Sequence, residues 1–139
     1  TLHQSHIVQA AAHGADAILL IAALFNASEL RGLREFAASL NLDALVEVHD
    51  DKELSRAVDS GANIIGVNNR NLVTFEVSLS TSIRLAERIP ESAIRVSESG
   101  IFTAADIRTL RAAGYQAFLV GEHLMRSADP SLALKELRQ

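Results

Sequence analysis

The sequence predicts an α/β protein in which short parallel strands alternate with helices. Five apolar runs recur along the chain, nearly continuous in apolar residues instead of alternating, as strands of a covered parallel sheet are. The segments between them repeat apolar residues every three or four positions, as helices lying on a sheet do. No Gly/Ser-rich or Pro-rich linker interrupts the series, so residues 1–139 are expected to form one domain.

The elements follow in order. The opening TLHQSHIVQAAAHGADA leads into the first strand, DAILLIA (Asp16 to Ala22). The surrounding run AILLIAALF is the longest apolar stretch and falls well short of the ~20 residues that span a bilayer. In SELRGLREFAASL the set Leu30, Leu33, Phe36, Ala37 and Leu40 has helical spacing, and Ser28 or Asn26 can cap its start. ALVEV (Ala44 to Val48) and NIIGV (Asn63 to Val67) read as the second and third strands, with Lys52 in a helix between them. IRVS (Ile94 to Ser97) is the fourth. In TAADIRTLRAAG, Thr103 and Asp106 make a capping box and Gly114 supplies a left-handed stop. QAFLV (Gln116 to Val120) is the fifth strand, and EHLMRSADP has room for a short helix before Pro130 opens the last one; Pro90 marks another helix boundary.

Charge and composition exclude several classes of function. The net charge is −4 and Lys and Arg are scattered singly, so neither nucleic acid nor a membrane surface is an expected partner. Without cysteine there is no disulfide framework and no thiolate metal site, and the five histidines form no i, i+4 pair on a carboxylate-bearing face. No leading basic and apolar segment argues for export, and a cytoplasmic location is expected.

Parallel βα units build either an open doubly wound sheet or a closed (β/α)8 barrel, and in both the chemistry collects at the carboxyl ends of the strands. Here those ends carry Glu47 and His49, Asn68 to Arg70, Glu98 to Gly100, and Gly121 with Glu122. No GxGxxG follows the first strand, which counts against a simple nucleotide fold. Instead SESG and VGEHLM each place a glycine directly after an apolar run. Barrels often hold a phosphate between two such consecutive loops on backbone N–H groups, so Ser99 and Gly100 are expected to hold an anion. Ser99 as a mere local cap is the alternative. Glu47, between Val46 and Val48, is a carboxylate within a strand, a placement that tends to be functional. Asn68 either contacts a ligand or opens a turn, Arg70 either lines the rim or pairs on the surface, and His49 reads as a satisfied loop histidine. Neither a lysine nor paired carboxylates are recognisable at this rim.

VEVHDDKEL, IIGVNNRNL, VSESGI followed by an Asp-Ile pair and Leu at helical spacing, and AFLVGEHLMRSADP together resemble the carboxyl-terminal part of the indole-3-glycerol phosphate synthase family. The resemblance implies a TIM-type (β/α)8 barrel, present here as about five βα units. It further implies ring closure of 1-(2-carboxyphenylamino)-1-deoxyribulose 5-phosphate with loss of CO2 and water, in tryptophan biosynthesis, with no cofactor and no metal. Carried over, it makes Glu47 the general base of the dehydration and Asn68 a substrate-placing hydrogen-bonding group, with Arg70 supporting the rim. Ser99, Gly100, Gly121 and Glu122 would cradle the phosphate, Glu122 through its backbone N–H with its carboxylate turned away. Several family members carry serine at that position. Ile21 and Leu24 would wall the aromatic pocket.

The resemblance also implies absences. Strands one to three of the barrel, which carry the family's general-acid lysine on strand three, are not expected among these residues, and a barrel usually needs ~200 residues or more. The lysines present, Lys52 and Lys135, fall in helices away from the rim. These residues alone are therefore expected to catalyse poorly and to self-associate or pair with a preceding segment. The rival expectations are a non-catalytic half-barrel that binds a phosphorylated ligand, and another phosphate-using barrel enzyme.

Overall fold

A computed structural model describes residues 1–139. Helix α1 (Gln4–Ala12) precedes strand β1 (Ala17–Ile21), and a 3-10 turn (Ala22–Leu24) leads to α2 (Ala27–Ser39). Then come β2 (Asp43–Val48), α3 (Asp51–Asp59), β3 (Ile64–Asn68), α4 (Ser80–Ala86), β4 (Ile94–Glu98) and α5 (Ala104–Ala112). The chain closes with β5 (Ala117–Leu119), α6 (Glu122–Arg126) and α7 (Pro130–Leu137). No helix is long and apolar enough to cross a membrane.

The helix starts follow local chemistry. Asn26, not Ser28, caps α2: its Oδ1 accepts the Glu29 N–H at 3.0 Å while Glu29 Oε2 accepts the Asn26 N–H at 2.8 Å. Ser28 already lies inside the helix. Asp50 caps α3, Thr103 and Asp106 form the expected box at α5, and Asp129 with Pro130 opens α7. Gly114 ends α5 in the left-handed region at φ 95°.

All neighbouring strands are parallel, in the order β1-β2-β3-β4-β5, and the sheet is not closed. Neighbours in consecutive order joined by crossover helices are the arrangement of a (β/α) barrel, here an arc of five units. Strand alternation then separates two faces. Ile18, Leu20, Val46, Val48, Ile65 and Val67 are buried towards the helices, where Ile7, Leu30, Leu54, Leu85 and Leu110 complete the core. Burying each such side chain fully contributes about 1.5–3 kcal/mol, so the helical face is what holds the arc together. Leu19, Ile94 and Leu119 point the other way and are exposed. The concave face is thus apolar at Leu19 and Ile94 and, as the register shows, carries polar residues together with Leu119 at its rim.

Register stacks that face in layers. Ile21 pairs with Glu47, Glu47 with Gly66, Gly66 with Val96 and Val96 with Ala117. One level higher, Asn68 pairs with Glu98 and Glu98 with Leu119. After β3 the chain makes an excursion that periodicity does not foretell: Arg70 bridges Val77 in antiparallel fashion, and Asn71 Oδ1 accepts the N–H groups of Val73 and Thr74. This side-chain turn stands the loop over the carboxyl ends of the strands.

Candidate active site

Two carboxyl groups from different strands share the concave face. Glu47 on β2 and Glu98 on β4 are 6% and 2% exposed, and Gly66 on the strand between them has no side chain to separate them. A Cβ at Gly66 would stand 1.9 Å from Glu98 Oε1 and 3.0 Å from its carboxyl carbon. The glycine is therefore the floor on which Glu98 lies. Glu98 Oε1 makes no hydrogen bond within the protein. Burial first, then the charge of the adjacent Glu47, push the Glu98 carboxyl up to about 8, with His49 opposing them. A carboxyl raised that far holds its proton at neutral pH, which suits an acid.

His49, just past β2, sits between carboxylates. Glu53 Oε2 accepts both the His49 backbone N–H at 2.8 Å and a hydrogen bond from Nδ1 at 3.0 Å. On the opposite edge Nε2 lies 3.3 Å from Glu47 Oε1, not aligned for a hydrogen bond. The bond from Glu53 raises the imidazole above its usual value against the effect of burial, and the charges of Glu53 and Glu47 add to it. Glu53 is fixed in turn, because it stands in the first turn of α3 with its N–H on the Asp50 cap. His49 is thus a loop histidine satisfied at Nδ1 by Glu53, with Nε2 left beside Glu47.

Asn69, 2% exposed, ties the next strand end in place. Its Nδ2 donates to Ser97 Oγ at 3.0 Å and to the carbonyls of Glu98 and Ser99, each at 3.1 Å, while Oδ1 accepts the Ser82 N–H at 3.1 Å. Ser82 and Ser97 share a hydroxyl hydrogen bond, and Tyr115 donates to the Ser82 carbonyl at 2.8 Å. Burial pushes the Tyr115 phenol up to about 12, so it stays a donor. This network holds Ser99 at φ 63° and Gly100 at φ 71°, two consecutive left-handed residues. For serine that conformation costs about 1–2 kcal/mol, and it turns the chain sharply off β4.

Most of the sequence-derived candidates line two adjoining depressions, whereas Glu47 lines neither. Ser99, Gly100, Gly121 and Glu122 line one of about 250 Å³, with Arg70 on its wall. Arg70 also lines the other, of about 490 Å³, together with Asn68, Asn69, His49, Glu53 and Ala23. The short helix expected after Gly121 is α6, and Gly121 stands at its start. The Glu122 carboxylate turns onto the guanidinium of Arg70 and lies 3.2 Å from Arg126 Nε. Arg70 in addition donates to the Phe75 carbonyl at 3.4 Å, supporting the loop over the site. Ile21 is half-buried at the end of β1 and Leu24 is exposed on the 3-10 turn; neither lines a depression, whereas Ala23 does. Lys52 and Lys135 are exposed on α3 and α7.

Sequence reasoning found no paired carboxylates here, yet Glu47 and Glu98 are a pair. The signal that could have found them is the glycine in IIGVN, which in a strand marks a close approach by something else.

Comparison with known proteins places this arc. Its fold is shared with 3-hexulose-6-phosphate synthase from Salmonella typhimurium, at a TM-score of 0.79 and 14% identity over 96% of this chain and 65% of that one. It is shared likewise with thiamine phosphate pyrophosphorylase from Pyrococcus furiosus, at a TM-score of 0.74 and 22% identity over 95% of this chain and 62% of that one. Such identities speak for the fold alone. In sequence, the chain is 54% identical over 136 residues to the indole-3-glycerol phosphate synthase of Koribacter versatilis, covering 98% of this chain and 52% of that protein. It is 49% identical over 138 residues to that of Ruminiclostridium cellulolyticum, covering 99% of this chain and 53% of that protein. The chain spans about half the length of the curated relatives it matches. The model of the family described as indole-3-glycerol phosphate synthase matches residues 2–137, and the chain belongs to that family.

Proposed function

We propose that these residues supply the base-bearing and phosphate-binding part of an indole-3-glycerol-phosphate synthase site. Its substrate is the phosphorylated small molecule 1-(2-carboxyphenylamino)-1-deoxyribulose 5-phosphate, which closes to the indole with loss of CO2 and water. The observation that carries the reading is the Glu47–Glu98 pair, beside Asn68 and above the apolar base of the concave face. Glu47 takes the proton in the dehydration, and the neutral Glu98 is placed to return one to a departing oxygen. Asn68 orients the substrate. Ser99, Gly100, Gly121 and Glu122 receive the phosphate, Glu122 by its backbone N–H, since its carboxylate is occupied by Arg70 and Arg126. Ring closure needs a further general acid at the carbonyl. With both lysines exposed on the outer helices, that acid comes from the remainder of the barrel, which also covers Leu19, Ile94 and Leu119. Residues 1–139 are on this reading one partial barrel domain.

The test is Glu47→Gln in a full-length family enzyme that carries these residues as its carboxyl-terminal part. The exchange keeps size and hydrogen bonding and removes the base. Turnover is expected to fall by about 10²–10⁴-fold with KM changed far less. A Gln variant with parental turnover per folded molecule would end the assignment.

A further inference from the structure

We propose that His49, gripped by Glu53, is the positioning residue that holds the Glu47 carboxylate in place as the base of the carboxyl pair. The inference rests on the reading of Glu47 as the base and adds to it the group that places it.

The argument is one of hydrogen-bond inventory. The imidazole cannot rotate freely, because Glu53 Oε2 takes both the backbone N–H of His49, at 2.8 Å, and the bond from Nδ1, at 3.0 Å. A carboxylate accepts only, so the Nδ1 proton is committed to Glu53. Nε2, on the opposite edge, lies 3.3 Å from Glu47 Oε1, and a charged ring carries an N–H there that pairs with the Glu47 carboxylate by charge, short of an aligned hydrogen bond. The surroundings favour the charged ring: the bond to Glu53 from α3 outweighs burial, and the charges of Glu53 and of Glu47 from β2 add to it, with Asp50 at the start of α3 and Glu98 on β4 the other acidic groups on this side. The Asp50 carboxylate is engaged by the Glu53 N–H, and the one arginine lining the same depression, Arg70, is paired with Glu122. An imidazolium 3.3 Å from Glu47 holds that carboxylate by charge, whereas Glu98 is buried and its Oε1 has no partner. Two chemically identical carboxyls thereby acquire different roles.

Rate profiles against pH, in the full-length enzyme described above, test this with His49→Gln, Glu53→Gln and Glu47→Gln side by side. His49→Gln is expected to lower kcat about tenfold or more near neutrality, to leave KM within about threefold, and to move the acid limb of the profile upward. Glu53→Gln should shift the limb in the same direction, because it frees the ring without touching Glu47. If His49→Gln keeps the parental kcat and profile while Glu47→Gln is inactive, the inference about His49 is overturned and the base assignment stands. If Glu47→Gln keeps parental turnover, both fall. Should the variants fail to fold, NMR of the imidazole nitrogens in the unmutated enzyme decides: a His49 midpoint above 6.5 with a protected Nδ1 proton is expected, and a midpoint at or below 6.5 overturns the proposal.

Discussion

Glu98 lies on Gly66: a methyl group built at the glycine would meet the Glu98 Oε1 at 1.9 Å and Leu45 Cδ1 at 3.0 Å. The strand between the two acidic strands is therefore cut down to backbone at the level where their carboxyls meet. Gly66→Ala must lift Glu98 off its seat, and overpacking of this kind costs about 1–3 kcal/mol. The expected outcome is a lower denaturation midpoint together with a fall in turnover per folded molecule of about tenfold or more, since a displaced carboxyl no longer meets Glu47. A Gly66→Ala variant with parental stability and rate would show that Glu98 does not need that seat.

Stability should also fall as pH rises through neutrality. The folded Glu98 carboxyl is raised from 4.5 to about 8, and the His49 imidazole is raised above 6.5. Both groups bind protons more tightly folded than unfolded, so their contribution is fully present below the unfolded values and is lost as pH climbs through the folded ones. For Glu98 the window runs from 4.5 to about 8. Denaturation midpoints followed across it are expected to decline, and Glu98→Gln, which is neutral throughout, should flatten the decline. An unchanged slope in that variant would mean the buried carboxyl titrates as an ordinary one.

Asn69 is expected to matter to both the fold and the anion. Removing its side chain takes a partner from the Ser82 N–H and the Ser99 carbonyl, at a cost of about 1–3 kcal/mol for each group left buried and unsatisfied, while the Glu98 carbonyl keeps the Asn69 backbone N–H. Asn69→Asp is the sharper probe. It keeps the acceptor towards Ser82 and loses the donors that hold the turn at Ser99 and Gly100. A drop in melting temperature and at least a severalfold weakening of sulfate or phosphate binding at the Ser99–Gly100 loop are the expected results. Parental sulfate affinity in Asn69→Asp would separate the network from the cradle.

Much of the architecture was legible because it is local. Apolar runs and helical spacing located the strands and the helices between them, and the Thr103 and Asp106 capping box forms where the spacing placed it. The choice of Asn26 over Ser28 as cap is already a matter of where the first turn begins. The loop after Arg70 was not legible, since its form depends on the Asn71 side chain and on a single bridge to Val77, neither of which leaves a periodic mark.

By itself the sequence determined that strands and helices alternate, that polar residues collect at the carboxyl ends of the strands, and that glycines follow the fourth and fifth. Those properties follow from side-chain period and from backbone freedom, which act over a few residues. Only the tertiary structure decided that Glu47 and Glu98 meet over Gly66, that His49 stands between Glu53 and Glu47, and that Glu122 turns to Arg70. Each of these depends on which residues of neighbouring strands and loops come level. Parallel register is set by the packing of whole helices against the sheet, so it brings together charges that are far apart in sequence, and their mutual repulsion and burial, absent from any local reading, then determine which of them holds a proton.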